Sequence, residues 1–259
     1  MKRVISLILV FVICISLSAC GKSKPIKAAE EAIDAIGEVT VNSGEAIANA
    51  EKLYNILTDA EKSKVDNRLV LVDAQEAFEK LQGELVYANA KEAYEQLKDV
   101  ASLCVTGMDS IYGAWYFGIY EADDTYSSSF FYTMSLDVPG FTSTELEDAA
   151  NALGISSTLA SADWNYCLWI VEEAISARGD YNTITTNMEN ASKILQSLTD
   201  EYDDYTYYPK LKEYYSAVDS YVTFFVSPTG SFNQLADTIN NYENNIRTLE
   251  SDVGFLFTK

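Results

Sequence analysis

Apolar residues over the last two thirds of the chain recur every three or four positions, which is the spacing of one face of an α-helix. The first such stripe predicts one helix of about 35 residues, roughly 50 Å long. Its members are Val86, Ala90, Ala93, Leu97, Val100, Cys104, Met108, Ile111, Trp115 and Ile119. The stretch from Asp123 to Ser143 interrupts the pattern, and Pro139-Gly140 is its clearest turn.

The later stripes predict three more long helical segments. Their approximate bounds are 144–178, 184–225 with an interruption before Pro209, and 231–256, the last with the alternating steps of a heptad seam. Short turns after Arg178 and Phe225 favour antiparallel neighbours. We therefore predict an all-α fold in which residues 84–259 form an antiparallel bundle of four long helices.

Residues 27–83 carry shorter stripes, which predict a small module of three helices. Gly37 is a C-cap for the first helix. Thr58-x-x-Glu61 is a capping box that opens a turn ending near Val65. The third helix has its apolar face at Leu69, Val72, Ala77, Phe78 and Leu81.

This module resembles the FIVAR-like three-helix repeats of Gram-positive surface and secreted proteins. The segments that carry the resemblance are Ile33–Thr40, Ala46-Ile47, Ala50-Glu51, Leu53-Tyr54 and Leu57–Lys62 with Val65. The resemblance covers about a fifth of the chain and implies a fold and a cell-surface location. Such modules act as spacers or as protein- or sugar-binding units, and both alternatives stay open here.

The first twenty residues have the layout of a secretory signal. Met1-Lys2-Arg3 is positive, and the apolar run from Val4 to Ile15 is shorter than the about 20 residues that cross a bilayer. Leu17-Ser18-Ala19-Cys20 resembles the lipobox of bacterial lipoproteins. The resemblance implies cleavage between Ala19 and Cys20 and diacylglycerol on the Cys20 thiol. The alternative is an ordinary signal peptide cleaved at an Ala-x-Ala-like site.

The lipobox interpretation sets the predicted location and the first partner. Residues 1–19 are the signal peptide, residues 20–26 are the lipidated cysteine and a tether, and the lipid bilayer holds the chain through acylated Cys20. Two acyl chains bind a membrane far more firmly than one. We expect the mature chain on the extracytoplasmic side of the cell membrane.

Composition excludes several classes of function. The formal charge of −21 repels phosphate backbones, so we expect no nucleic-acid partner. Histidine is absent, which removes the commonest general base and metal ligand. With Cys14 in the signal and Cys20 acylated, two cysteines are too few for a thiolate metal site. We predict no metal, no cofactor and no catalytic residue.

Cys104 and Cys167 lie on the apolar stripes of the first two long helices. If these helices pair as a hairpin, the two residues fall at nearly the same level, which would allow a disulfide in an exported protein. The alternative is two buried thiols that pack as small apolar side chains.

Aromatic side chains concentrate around the first linker and the helix before it. They are Trp115, Tyr116, Phe117, Tyr126, Phe130, Phe131 and Tyr132. If they are exposed, they predict a contact surface for a protein or glycan partner. If they are packed, they close one end of the bundle. A second cluster, between Asp200 and Tyr208, mixes carboxylates and phenols but lacks the order of an EF-hand loop.

These observations together predict a membrane-anchored lipoprotein that binds or scaffolds at the cell surface and is not an enzyme. No phosphate-binding glycine loop, Gly-x-Ser-x-Gly elbow or zinc signature occurs in the sequence. The alternative function is a ligand-sensing domain or an enzyme with a cavity between the bundle helices. An enclosed polar cavity lined by tyrosines and carboxylates would favour that alternative.

Overall fold

The computed structural model describes residues 22–126, 128–201 and 207–258. Within these ranges the chain is all-α with eleven α-helices and no strand, which confirms the predicted class of helical bundle. The helices are α1 Lys24–Asp34, α2 Gly44–Asn55, α3 Asp59–Lys62, α4 Arg68–Tyr120, α5 Phe130–Asp137, α6 Ser143–Leu153, α7 Ser157–Ala162, α8 Asn165–Arg178, α9 Asp180–Glu201, α10 Tyr208–Val226 and α11 Phe232–Gly254. Short 3₁₀ turns cover Ala122–Asp124 and Phe255–Phe257.

The chain divides into two compact units between Val86 and Tyr87, close to the predicted boundary after Gly83. The division falls inside α4, so the third helix of the module and the first helix of the bundle, predicted as two helices, are one helix of 53 residues. Neither a proline nor a cap stops the helix near the boundary, and a single helical glycine costs only about 1 kcal/mol. Gly83 therefore lies within α4 and does not end the helix.

The first unit has a core built from the apolar faces of α1, α2 and the start of α4. Its buried members are Ile26, Ala29, Ile33, Ile36, Ile47, Ala50, Leu57, Val65, Leu71 and Ala74. Thr58 and Glu61 form the predicted capping box at α3, in which the Thr58 N–H donates to Glu61 Oε2 at 3.1 Å. These contacts account for a compact three-helix unit.

Residues 22–26, which the sequence predicts as part of a tether, contact or belong to the first unit. The Lys22 ammonium is paired with the carboxylates of Glu30 and Asp66, and α1 begins at Lys24. The Asp66 N–H also donates to Glu30 Oε1 at 2.8 Å. This network ties the start of the unit to the loop before α4.

In the second unit, α4, α10 and α11 are long neighbours whose contacts fix their directions. Along α4 and α11, Lys98 pairs with Glu250, and Tyr112 stacks on Phe232, so these helices are antiparallel. Along α10 and α11, Lys210 lies near Asp252 and Tyr221 near Tyr242, which is again antiparallel. The buried positions of α4 follow the predicted stripe from Ala90 to Ile111.

The predicted helix over residues 144–178 is in fact three helices, α6, α7 and α8. Gly154 takes φ +70° after α6, a conformation that suits glycine, and Ser156 then caps α7 by accepting from the Leu159 N–H at 3.3 Å. Asp163 is extended and ends α7. The apolar stripe continues through these breaks, which is why periodicity alone predicted one helix.

The predicted third helix is a hairpin rather than one interrupted rod. Tyr181 near the start of α9 stacks on Phe225 near the end of α10 at 5.4 Å, so the chain folds back between them. Pro209 lies in the first turn of α10, as predicted. The predicted linker over residues 123–143 also contains a helix, α5, whose Phe130 and Met134 are buried.

Candidate functional site

A group of six aromatic side chains, called here the aromatic surface, lies at the C-terminal end of α4. Tyr112, Trp115, Tyr116 and Tyr120 come from the last turns of α4, Trp164 from the residue before α8, and Phe232 from the first residue of α11. Three separate parts of the second unit therefore supply one group of rings.

The rings of the aromatic surface contact one another in an ordered way. Trp115 and Trp164 stack with centroids 5.5 Å apart and planes 10° apart. Tyr112 stacks on Phe232 at 4.9 Å, and Trp115 meets the same Phe232 ring edge-on at 5.9 Å. Tyr120 also meets Phe232 edge-on at 5.9 Å. Such pairs fix ring positions in addition to burying area.

The sequence of α4 places these rings beside the core rather than in it. Ile111, Ala114 and Phe117 are buried, while the four surface rings occupy the neighbouring face at helical spacing. Gly118 permits the stacking, because a Cβ at this position would lie 2.9 Å from the Cβ of Trp164. A glycine lets the start of α8 approach the α4 backbone closely.

Part of the aromatic surface is open to solvent. Tyr120 is 57% exposed, Tyr116 38% and Trp164 36%. Ile119, in the same turn of α4, is also exposed. A contiguous exposed apolar patch on a folded protein is a common mark of an interaction site.

Acidic groups border the aromatic surface. Glu121 directly follows Tyr120, and charge repulsion from Asp137 raises the pKa of its carboxyl, with a smaller contribution from desolvation. Asp163 precedes Trp164 and accepts from the Asn165 N–H at 3.0 Å. The last turn of α4 contains no basic residue. The local field is therefore negative.

The predicted contact residues separate into three groups. Trp115 and Tyr116 belong to the aromatic surface. Phe117 and Phe130 are buried and meet edge-on at 5.2 Å, so they follow the packed alternative. The remaining three lie around α5: Phe131 is half-buried against Phe130, and Tyr126 and Tyr132 are exposed.

Four residues of the aromatic surface were not among the predicted contact residues. Tyr112 and Tyr120 had a usable signal, because with Tyr116 they recur every four residues and so share one helix face. Trp164 and Phe232 had no such signal in the sequence, because their positions in the aromatic surface depend on how α8 and α11 pack against α4.

Cys104 and Cys167 are free thiols in the structure, and no disulfide links them. Both side chains are fully buried, and burial raises the pKa of each thiol to about 12. The Cys167 thiol donates to the Ala160 carbonyl at 3.7 Å. The thiols pack as small apolar groups of the second unit.

The acidic and phenolic cluster after Asp200 lies mainly outside the described residues. Tyr207 packs against Phe257 at 5.5 Å, and Tyr208 begins α10. Among the side chains that are described, no group of three or more Cys, Asp or Glu is arranged to hold a metal ion.

Open grooves run along the helices of the second unit. A groove of about 630 Å³ between α4 and α11 is lined by residues that include Tyr94, Glu95 and Glu250. Another, of about 270 Å³, lies beside Glu145 and Arg178. Both are open to solvent, whereas the ligand-sensing or enzymatic alternative predicts an enclosed cavity.

The predicted signal peptide and Cys20, with the Ala19–Cys20 cleavage site, lie outside the described residues. From Lys22 onward, none of the described helices has the length and apolarity needed to cross a bilayer.

Comparison of the chain with protein-family models, with curated proteins and with solved structures finds no match. The resemblances to bacterial lipoproteins and to FIVAR-like modules therefore remain predictions from the sequence.

Proposed function

We propose that the chain is an extracytoplasmic lipoprotein, anchored in the cell membrane through acylated Cys20, that binds a partner through the aromatic surface. The observation that carries binding is the exposure of Tyr116, Tyr120 and Trp164 within a group of rings that are already held in place. Stacked neighbours fix these rings before a partner arrives, so little side-chain freedom is lost on contact. The motif Leu17-Ser18-Ala19-Cys20 supports the anchor.

A short tether fits this proposal. Only Gly21 separates Cys20 from Lys22, which already pairs with Glu30 and Asp66. Two residue steps of extended chain span about 7 Å. An acyl anchor on Cys20 would therefore hold the first unit directly at the bilayer.

Binding suits the site better than catalysis. The aromatic surface offers ring faces and contact area, which serve recognition. The two described thiols are buried with raised pKa values, so they cannot serve as exposed nucleophiles. The chain has no histidine to act as a general base. The partner class left by these properties is a protein or a glycan at the cell surface.

The anchor is tested with cysteine variants and an alkyne-labelled fatty acid supplied to the cells. Wild-type protein and Cys14→Ser are expected to take up the label, because Cys14 lies in the cleaved segment. Cys20→Ser is expected to take up none. Mass spectrometry of the mature protein should give an N-terminal diacylglyceryl cysteine at position 20. Label retained by Cys20→Ser, or a mature chain that begins elsewhere, would contradict the anchor.

The binding surface is tested by photocrosslinking on intact cells. A benzoylphenylalanine is placed at Tyr120, and a matched probe is placed at Phe255, which is 78% exposed and directly follows the C-terminal end of α11. Discrete adducts from position 120, and none from position 255, are the expected result. Equal adduct formation at both positions, or none at position 120, would contradict binding at the aromatic surface.

A further inference from the structure

We infer that the partner of the aromatic surface is a positively charged protein segment, with Lys or Arg side chains laid over the exposed rings. This inference rests on the proposed binding function and adds the chemistry of the occupant. It follows from the charges around the rings, from the electron-rich faces of the rings and from the length of the surface.

The chain around the aromatic surface carries only one sign of charge. No Lys or Arg lies between Lys98 and Arg178, whereas this stretch contains twelve Asp and Glu residues. It supplies five of the six rings. On the side of α11, the residues from Phe232 to Ile246 include Asp237 and Glu243 but no cation. A cationic occupant would therefore meet attraction from both sides.

The ends of the helices add to this field. A helix C-terminus carries partial negative charge on its unpaired carbonyls, and basic residues in the last turn usually offset it. The last turns of α4, α5, α6 and α7 contain no basic residue. At the end of α4, Glu121 and Asp123 lie within three residues after Tyr120, and the raised pKa of Glu121 reflects the nearby charge of Asp137.

The exposed rings have faces that attract cations. Ammonium and guanidinium groups bind the faces of Trp and Tyr, and Arg in particular stacks on flat rings. The same contact occurs within the chain, where the Arg178 guanidinium lies 4.3 Å from the centroid of the Phe141 ring. Tyr116, Tyr120 and Trp164 offer similar ring faces to solvent, and no Lys or Arg in the described part of the chain lies over them.

The extent of the surface favours a segment over a single small cation. From Tyr112 to Tyr120 the helix advances about 12 Å. One cation covers about one ring, since the contact requires about 6 Å or less to the centroid. Several rings in a row therefore fit a peptide with repeated basic side chains. Acidic glycans and nucleic acids would be repelled, and a neutral glycan would gain hydrogen bonds from the carboxylates but no attraction between opposite charges.

The inference is tested with synthetic peptides and the chain from residue 20 carrying Cys20→Ser. A short peptide of alternating glycine and arginine is titrated by fluorescence anisotropy, alongside glycine–glutamine and glycine–glutamate peptides and a neutral chitin hexasaccharide. We expect binding of the arginine peptide only. The double variant Tyr120→Ala/Trp164→Ala should bind it about tenfold more weakly, the loss of two cation–ring contacts.

Two controls separate this surface from the general negative charge of the protein. Phe255→Ala removes an exposed ring beside the groove that contains Lys91 and Lys98, and it should leave binding unchanged. Glu121→Gln/Asp123→Asn should weaken binding severalfold, and the equally large charge change in Glu147→Gln/Asp148→Asn should weaken it less.

Three results would overturn the inference. If the aromatic double variant bound the arginine peptide as tightly as Phe255→Ala does, the attraction would come from net charge alone. Equal affinity for the neutral peptide or for the hexasaccharide would show an uncharged occupant. Absence of binding to the arginine peptide would also reject a basic segment. The crosslinks expected from position 120 on cells do not depend on the charge of the partner. The proposed binding function is therefore judged by the crosslinking experiment, whichever of these three results is obtained.

Discussion

Two groups of aromatic rings lie along α4 in the second unit, and they differ in burial and in charge. The aromatic surface has exposed rings, and the charged residues next to it in the sequence, Glu121, Asp123 and Asp163, are acidic. The other group, called here the packed cluster, consists of Tyr87, Tyr94, Tyr207, Tyr214 and Phe257. In it Phe257 stacks on Tyr94 at 5.4 Å and on Tyr207 at 5.5 Å, and the side chains of Tyr94, Tyr214 and Phe257 are buried.

The charges beside the two groups are arranged differently as well. The packed cluster borders the groove of about 630 Å³, where Lys91, Lys98 and Arg247 lie among the carboxylates Glu95 and Glu250. Lys98 approaches Glu250 to 3.8 Å. The comparison teaches that the number of aromatic residues says little about function. What distinguishes a binding surface from a core is which rings lack covering neighbours and which charges lack partners.

The largest expected difference between the two groups is in stability. Phe257→Ala should lower the free energy of unfolding of the second unit by about 3 kcal/mol, because it removes a buried ring and leaves a cavity. Tyr120→Ala should lower it by less than about 1 kcal/mol, because more than half of this side chain is exposed.

Urea unfolding followed by tryptophan fluorescence measures both variants. All three tryptophans, Trp115, Trp164 and Trp169, belong to the second unit, so the signal reports on that unit alone. The urea midpoint should shift while the slope stays constant. Equal midpoints for Phe257→Ala and Tyr120→Ala would remove the distinction between a packed cluster and a surface.

A smaller effect is expected from one hydroxyl in the packed cluster. Tyr214 is fully buried, and its hydroxyl has no hydrogen-bond partner among the described residues. Burial, together with the charge of Glu250, raises its pKa. Tyr214→Phe should therefore stabilise the second unit by about 1 kcal/mol, because a buried unpaired polar group costs about 1–3 kcal/mol.

Tyr221→Phe is the matched control for this variant. Tyr221 is equally buried, but its hydroxyl donates to Glu243 Oε1 at 3.5 Å. Loss of that weak bond should leave stability unchanged or lower it by up to about 1 kcal/mol. Thermal unfolding compares the two at the same pH. If Tyr214→Phe were as destabilising as Tyr221→Phe, the Tyr214 hydroxyl would have a partner such as a bound water.

The sequence predicted the helical class because the apolar stripes survive in the structure at Ala90, Leu97, Cys104 and Ile111, which are all buried. It did not predict where helices break. The stripe runs through Gly154, whose left-handed backbone ends α6, since periodicity records faces and ignores backbone conformation. The cap at Ser156 was a readable signal for that break.

The residues of the candidate site were also only partly predictable from the sequence. Trp115 and Tyr116 were predicted from local aromatic density. The same density included Phe117, which faces the core and is buried. A helix turns by about 100° per residue, so neighbouring aromatics point in different directions. Trp164 joins the surface only through packing of α8 on α4, which no local pattern records.

The smallest expected effect is a change in melting temperature, and it tests the difference in charge between the aromatic surface and the packed cluster. Repulsion by Asp137 raises the pKa of Glu121 in the folded state, so the folded chain holds this proton more tightly than the unfolded chain. The protonated form thus contributes stability below the unfolded pKa of about 4.5, and this stability is lost as pH rises through the folded pKa. Glu121→Gln removes the repulsion and should raise the melting temperature at pH 7, with no difference from wild type at pH 3.

A change in melting temperature of the opposite sign is expected beside the packed cluster, where Glu250 lies near Lys98. Glu250→Gln removes a carboxylate that lies near Lys98, so it should lower the melting temperature slightly at pH 7. Calorimetry of both variants between pH 3 and pH 8 measures the two signs under the same conditions. Added salt should reduce both effects, because screening weakens exposed charges. A shift of the melting temperature in the same direction for both substitutions would contradict this contrast. It would mean that negative charge is spread evenly over the second unit and is not concentrated beside the aromatic surface.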